Sequence, residues 1–121
     1  QITSDESLSW NQIYETIADA LGVKLHPYHI SSDFLAEIGE EYDFEGSLTG
    51  DKSVTVVFDN SKLKKAVPEF NPTVSFSQGV RIALDNILAH KELQIEDAEF
   101  DSWCDNVISA LEHTKSALKN Q

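Results

Sequence analysis

The chain has 121 residues, of which 40% are hydrophobic and 25% are charged, a composition typical of one globular domain rather than a disordered segment. Its formal net charge of −12 disfavours nucleic-acid binding, because phosphate contacts require an excess of Lys and Arg. A single cysteine excludes an internal disulfide, and no apolar run is long enough to span a bilayer. We therefore expect a cytoplasmic protein with no membrane partner.

The first residues predict the end of a strand at Ile2 and Thr3. They show no signal-peptide organisation, and the whole chain contains no methionine. We therefore expect a piece of a longer protein, whose earlier part would contain the start of this strand.

Capping signals and apolar spacing predict the first two helices. Ser9 and Gln12 form a Ser-x-x-Gln capping box before an apolar stripe that starts at Trp10, and Gly22 ends this helix. Residues 23–30 are expected to be extended, with Pro27 marking an edge strand or its start. Ser31 or Ser32 caps a short helix over residues 33–38.

The rest of the chain is predicted to alternate between loops, one strand and three helices. Residues 40–50 are expected to form an acidic loop, and residues 53–58 a β-branched strand. A short helix over 61–67 precedes Pro68, a second Ser-x-x-Gln box starts a helix at Ser75, and a last helix starts at Asp97. The sum is an α+β fold, with four or five helices and two or three short strands in a single domain over residues 1–121.

Three short motifs follow one another after the predicted strand, and they resemble the end of the NAD-dependent epimerase/dehydratase family, the extended short-chain dehydrogenase/reductases. The family has Asp-x-Ser-Lys, an aromatic-x-Pro loop, and a helix that opens with Gly and a hydrophobic residue. The matching residues are Asp59-Asn60-Ser61-Lys62, Phe70-Asn71-Pro72 and Gly79-Val80-Arg81. Residues 3–10 and the tail over 93–105 also resemble this family.

The resemblance implies the C-terminal substrate lobe of a Rossmann-type enzyme, with the NAD- or NADP-binding N-terminal lobe absent from this chain. No Gly-rich turn follows a strand. The family's Tyr-x-x-x-Lys pair is also missing, because the residues four places after the three tyrosines are Ala18, Ser32 and Gly46. We therefore expect no catalytic residue and no bound cofactor here, and a sugar-like or nucleotide-sugar substrate for the whole enzyme.

Five residues are the predicted substrate contacts: Asp51, Lys52, Asp59, Lys62 and Arg81. Gly50-Asp51 stands where relatives have Arg-x-Gly-Asp, but Leu48 occupies the Arg position, so Lys52 is only a point-charge substitute for a bidentate guanidinium. The basic residues of this region suit either a small anionic ligand or a solvated helix face. Asp59 also suits a helix cap and Lys62 a solvated position.

Two other functions stay open. The first is a free-standing acidic module whose helical faces bind a basic protein, a hypothesis based on the charge and the missing catalytic groups. The second is a small enzyme that uses His29 and Asp33. His26 and His29 point to opposite faces of an extended segment and are poorly placed to share a metal, and Cys104 suits packing better than catalysis. In the leading hypothesis, the acidic loop over 39–50 is the mobile lid.

Overall fold

A computed structural model describes residues 2–120, which form helices joined by irregular segments. The five α-helices within this range are α1 (Trp10–Leu21), α2 (Ser32–Ile38), α3 (Ser61–Ala66), α4 (Phe76–Ala89) and α5 (Ala98–Lys119). A π-helix (Glu45–Asp51) lies between α2 and α3, and a short 3₁₀ turn (Lys91–Leu93) lies between α4 and α5. Residues 2–120 contain no β-strand. The predicted α+β class is therefore wrong, and the described chain is all-helical.

Local capping explains why α1 starts and ends where it does. The Ser9 hydroxyl accepts from the Gln12 backbone N–H at 3.3 Å, and the Gln12 side chain accepts from the Ser9 N–H at 2.8 Å. These are the two reciprocal hydrogen bonds of a capping box. Gly22 ends the helix with φ of 68°, a left-handed conformation that glycine adopts without the steric penalty of a Cβ. The predicted bounds of α1 are confirmed.

The predicted starts of the other capped helices also hold to within one residue. Ser31 caps α2 by accepting from the Phe34 N–H at 3.3 Å, so α2 begins one residue before the predicted start. Ser75 and Gln78 make the second capping box at the start of α4. Asp97 accepts from the Phe100 N–H at 3.0 Å at the start of α5. Each of these signals is local, and each places its helix correctly.

The three predicted strand segments are irregular in the structure. Residues 2–3, 23–30 and 53–58 belong to no helix and no strand. Their β-branched and aromatic side chains suit a pleated surface, but a strand exists only when a neighbouring segment pairs with its backbone. Within residues 2–120 no such pairing forms. The prediction failed because residue type reports a preference for a sheet and does not supply the partner.

The predicted acidic loop over 40–50 is also wrong in part, because its second half forms the π-helix. The Gly46 N–H donates to the Asp43 carboxylate at 3.2 Å, and the Thr49 hydroxyl donates to the Glu45 carbonyl at 2.6 Å. The π-helix packs against α2. At this contact the Phe44 ring lies so close to Gly39 that a Cβ there would stand 2.7 Å from the ring. The segment is therefore an ordered helical turn rather than the loop expected for a lid.

The chain divides into two compact units, Gln1–Leu84 and Asp85–Gln121, and the boundary falls within α4. The expectation of a single domain over residues 1–121 stays a prediction. The accessible surface totals 9897 Å². Two separate compact bodies of these lengths would together expose only about 7,700 Å² by the scaling of folded monomers. The chain therefore exposes more surface than two compact bodies would. In agreement with this, among the described residues only Ala18, Gly39 and Asn60 are buried, and many large apolar side chains are exposed.

Candidate functional site

A groove of about 1150 Å³ runs between two segments of the first unit. One wall is formed by residues 3–10 and the other by residues 51–61. Ile13 of α1, Lys64 of α3 and Phe76 of α4 complete the lining. The groove is therefore a meeting place for the amino-terminal segment, the end of the π-helix and the starts of α3 and α4.

Asn60 joins the two walls of the groove. Its side-chain amide donates to the Thr3 carbonyl at 2.9 Å and to the Asp5 carboxylate at 3.0 Å, and the longer contact to the Ser4 carbonyl is 3.4 Å. The Thr3 hydroxyl donates to the Asn60 amide oxygen at 3.4 Å. Only 7% of Asn60 is exposed, so these bonds satisfy a buried polar side chain that would otherwise be costly.

A surface ion pair reinforces this junction. The Lys64 ammonium lies 2.6 Å from the Asp5 carboxylate, and both side chains are about half exposed. The hydrogen bond from Lys64 lowers the pKa of Asp5 below its ordinary value, and the bond from Asn60 lowers it further. Exposed pairs of this kind contribute little to stability. The hydrogen bonds of the buried Asn60 amide therefore contribute most to holding residues 3–5 against the start of α3, and the Lys64 ion pair contributes less.

The amino-terminal segment is tied to α4 as well. The Glu6 carboxylate accepts from the Phe76 backbone N–H at 2.6 Å, at the first residue of α4. The first N–H groups of a helix have no partner within the helix, and a carboxylate there is favoured by the helix dipole. Residues 3–6 therefore contact both α3 and α4, which are distant in sequence, and they close one side of the groove.

Three of the five predicted substrate contacts line this groove: Asp51, Lys52 and Asp59. Asp51 is the last residue of the π-helix, and the Lys52 N–H donates to the Ser47 carbonyl at 2.9 Å. Asp59 accepts from both the N–H and the hydroxyl of Ser61, which lowers the pKa of its carboxyl. Asn60, not Asp59, occupies the N-cap position of α3, and no side chain caps that helix. Asp59 stands one residue earlier and uses one oxygen, Oδ1, for both bonds to Ser61.

The remaining two predicted contacts, Lys62 and Arg81, do not line the groove. Lys62 lies on α3 and Arg81 on α4, and both side chains are exposed. Among residues 2–120 neither makes a side-chain hydrogen bond or ion pair. The structure therefore does not bring these two cations together with Asp51, Lys52 and Asp59, and it agrees with the solvated interpretation of Lys62.

The electrostatics of the groove are acidic. Its ionisable lining residues are four carboxylates (Asp5, Glu6, Asp51, Asp59) and two ammonium groups (Lys52, Lys64). Lys64 forms an ion pair with Asp5, so of the two cations that line the groove Lys52 is the one available to a ligand. A phosphate in the groove would face more negative than positive charge, whereas neutral hydroxyl groups could donate to the carboxylates. The groove therefore suits an uncharged polar ligand or a cation better than a diphosphate.

Other candidate residues lie elsewhere or have structural partners. His29 contacts the Asn11 side chain at 3.1 Å rather than Asp33, so the third hypothesis has no His–Asp pair. Within residues 2–120 there is no cluster of three His, Cys, Asp or Glu residues placed to hold a metal. Cys104 is half-buried on α5, and burial, together with the nearby Asp101 and Asp105 charges, raises the pKa of its thiol. A thiol kept protonated in this way is a poor nucleophile.

Sequence reasoning missed the two residues that hold the groove together, Asn60 and Asp5. In the sequence, Asn60 is the variable position of the Asp-x-Ser-Lys motif and Asp5 is one of the acidic residues at the start of the chain. Their partners lie more than fifty residues away, so no local pattern marks them. A helical membrane span is likewise not found in the described part of the chain, where no helix combines the necessary length and apolarity.

The chain matches no protein-family model, and searches of curated proteins and of solved structures gave no match either.

Proposed function

We propose that this chain is the substrate-binding portion of an NAD(P)-dependent epimerase/dehydratase, with hydride and proton transfer carried out by another lobe. The observation that carries the proposal is the placement of Asp51, Lys52 and Asp59 in one groove. These residues come from two motifs that resemble the family's substrate lobe. Six residues separate Lys52 from Asp59 in the sequence, and the fold brings all three side chains to one cavity.

The charge of the groove favours the sugar part of a substrate over its phosphates. Asp51 and Asp59 offer carboxylate oxygens that can accept from sugar hydroxyl groups. Lys52 supplies one ammonium group, and Leu48 replaces the guanidinium that would bind a phosphate bidentately. The proposal is therefore a sugar-like substrate held by its hydroxyls, with any nucleotide group outside this groove.

The exposed surface supports a further lobe. The chain exposes about 2,000 Å² more than two compact bodies of its two lengths would. A partner that covered this area of the chain would form an interface of the size found in permanent complexes, larger than that of a transient contact. Several of the exposed side chains outside the groove are large and apolar, among them Tyr14, Val23 and Ile82. A cofactor lobe packed on these faces would bury them.

The coding sequence upstream of Gln1 tests the proposal directly. We expect it to encode a Gly-rich strand-to-helix turn and a Tyr-x-x-x-Lys pair, which supply cofactor binding and proton transfer. A reading frame that lacks both features would refute the proposal. In the enzyme so identified, Asp51→Asn should raise KM for the sugar substrate at least ten-fold, whereas Asp85→Asn, an exposed change on α4 outside the groove, should leave KM unchanged.

A second candidate function is a free-standing acidic module that binds a basic protein through its helical faces. The net charge of −12 and the exposed apolar side chains favour it. The mass of the native protein separates the two candidates. A product near 13.5 kDa, the mass of this chain alone, favours the module, and a substantially heavier product favours the enzyme.

A further inference from the structure

Residues 53–58 have the composition of a strand but are left without one. The segment Ser-Val-Thr-Val-Val-Phe is uncharged and rich in β-branched residues. Val54, Val56 and Val57 are each at least 59% exposed, and Phe58 is 49% exposed. Uncharged segments of this type tend to pair with other strands when they are exposed. The exposed apolar surface here therefore lies on a segment with a strong preference for a sheet.

The backbone of this segment is also unpaired. Among the described residues, no hydrogen bond reaches a backbone N–H or carbonyl of residues 54–58. A run of unpaired backbone donors and acceptors is what an edge strand presents to an added strand. Side chains and backbone thus indicate the same missing neighbour.

The groove beside the segment has the size of one strand. Six residues in strand conformation span about 20 Å, neighbouring strands are about 4.8 Å apart, and packed layers are about 10 Å apart. These dimensions give about 1,000 Å³ for a six-residue strand. The groove that residues 51–61 line on one side measures about 1150 Å³. The volume of the groove is therefore comparable to that of one extended segment of six residues.

Charge decides between the possible occupants. A second copy of this chain would bring another net charge of −12, and its own segment would enter a groove that has four carboxylates and two ammonium groups. That repulsion disfavours self-pairing. A segment with basic residues at its ends would instead be attracted, because Glu6, Asp51 and Asp59 lie along the groove.

The geometry points to strand addition: an extended polypeptide segment with alternating apolar side chains and basic ends enters the groove and pairs with the backbone of residues 53–58. This inference goes beyond the proposed function, because it uses the groove, the backbone and the charge and needs no enzyme. The added strand and the proposed sugar would exclude each other, because both would occupy this groove and both would use Asp51 and Asp59.

A synthetic peptide tests strand addition on the 121-residue chain. The probe is fluorescein-labelled Lys-Lys-Thr-Val-Thr-Val-Thr-Lys-Lys, and binding is followed by fluorescence anisotropy. One control peptide has Glu in place of each Lys, and another is N-methylated at its five central amides. We expect each control to bind at least ten-fold more weakly than the probe. Equal binding of the N-methylated peptide would show attraction by charge alone and overturn the inference.

Amide hydrogen exchange locates the contact. Saturation with the probe should slow exchange at least ten-fold at alternate amides of residues 54–58, because successive N–H groups of a strand point to opposite edges. Unchanged exchange over these residues would overturn the inference. Self-association of the free chain that protects the same amides would also overturn it, since the occupant would then be a second copy.

Proline substitutions provide the matched variants. Proline removes the backbone donor and is tolerated in a strand only where that donor is unpaired. Val56→Pro and Val57→Pro remove donors on opposite edges, so one of them should weaken probe binding at least ten-fold. Ile95→Pro is the control, because Ile95 is exposed, lies between helices and is far from the groove in sequence. Full probe binding by both Val variants would contradict strand addition.

Discussion

Replacing Asn60 by Asp tests whether one buried amide holds the amino-terminal segment in place. The change keeps the size of the side chain but removes its two donor hydrogens. It also introduces a carboxylate next to the Thr3 carbonyl and the Asp5 carboxylate, which now accept from the amide at 2.9 and 3.0 Å. We expect residues 3–6 to detach from the start of α3.

The expected size of the effect follows from the bond to Thr3. Removing the donor leaves the half-buried Thr3 carbonyl without its partner and puts a carboxylate, next to Asp5, in the buried position of Asn60; together these changes cost about 1–3 kcal/mol. The detached population should therefore rise by roughly 5- to 150-fold. Since Glu6 caps the Phe76 N–H only while residues 3–6 are docked, exchange of that one amide should accelerate by the same factor.

Hydrogen exchange of the Phe76 amide, resolved by NMR, measures this effect. Asn71→Asp makes the same chemical change at an exposed position outside the groove, and it should leave the Phe76 rate unchanged. The amides of α1 provide an internal reference, because the helix has its own capping box. If Asn60→Asp left exchange at Phe76 unchanged, the Asn60 amide would not hold residues 3–6 in place, and the reasoning would be refuted.

Three further predictions concern glycine, pH and the thiol. Gly22→Ala should destabilise the chain by about 1–2 kcal/mol in urea unfolding, because φ is 68° there, whereas Gly79→Ala within α4 should stabilise it by up to about 1 kcal/mol, since an added Cβ meets only an ordinary contact at 3.8 Å. Because the folded pKa of Asp5 is lowered, its stabilising contribution is complete above the unfolded pKa and is lost as pH falls through the folded pKa. Acid should therefore weaken the attachment of residues 3–6, and Asp5→Asn should reduce the acid-dependent part of Phe76 exchange that comes from Asp5. Cys104 should react with iodoacetamide at pH 8 several-fold more slowly than a free thiol of ordinary pKa, and unfolding in urea should abolish the difference.

The helices could be predicted from sequence because their signals are local. Ser9 with Gln12, Ser75 with Gln78, and Asp97 each lie within three residues of the group that they cap, so short patterns place α1, α4 and α5. The strand predictions failed for the opposite reason. Residues 53–58 have the right side chains, but a strand also needs a second segment, and the described chain provides none.

The site was predictable in the same uneven way. Asp51, Lys52 and Asp59 were found because they belong to short motifs, and they line the groove. Asn60 was missed because an asparagine between Asp and Ser can form several local hydrogen bonds. Only the tertiary position of Thr3 shows that its amide is buried and bonds to a distant carbonyl. The π-helix was missed because the acidic segment before residue 50 has no clear apolar period, and its contact with α2 is a tertiary one.

The contacts of residues 3–6 also set an order of assembly. The ion pair between Asp5 and Lys64 joins positions 59 residues apart, and the cap of Glu6 on Phe76 joins positions 70 apart. Closing a chain of that length costs about 3–4 kcal/mol in entropy beyond a constant, whereas a capped helix turn closes over four residues. During synthesis residues 3–5 cannot dock before Asn60 and Lys64 emerge, and Glu6 cannot cap Phe76 before α4 emerges, whereas α1 can form with its own capping box before either. This wall of the groove can therefore detach without the loss of any hydrogen bond within a helix.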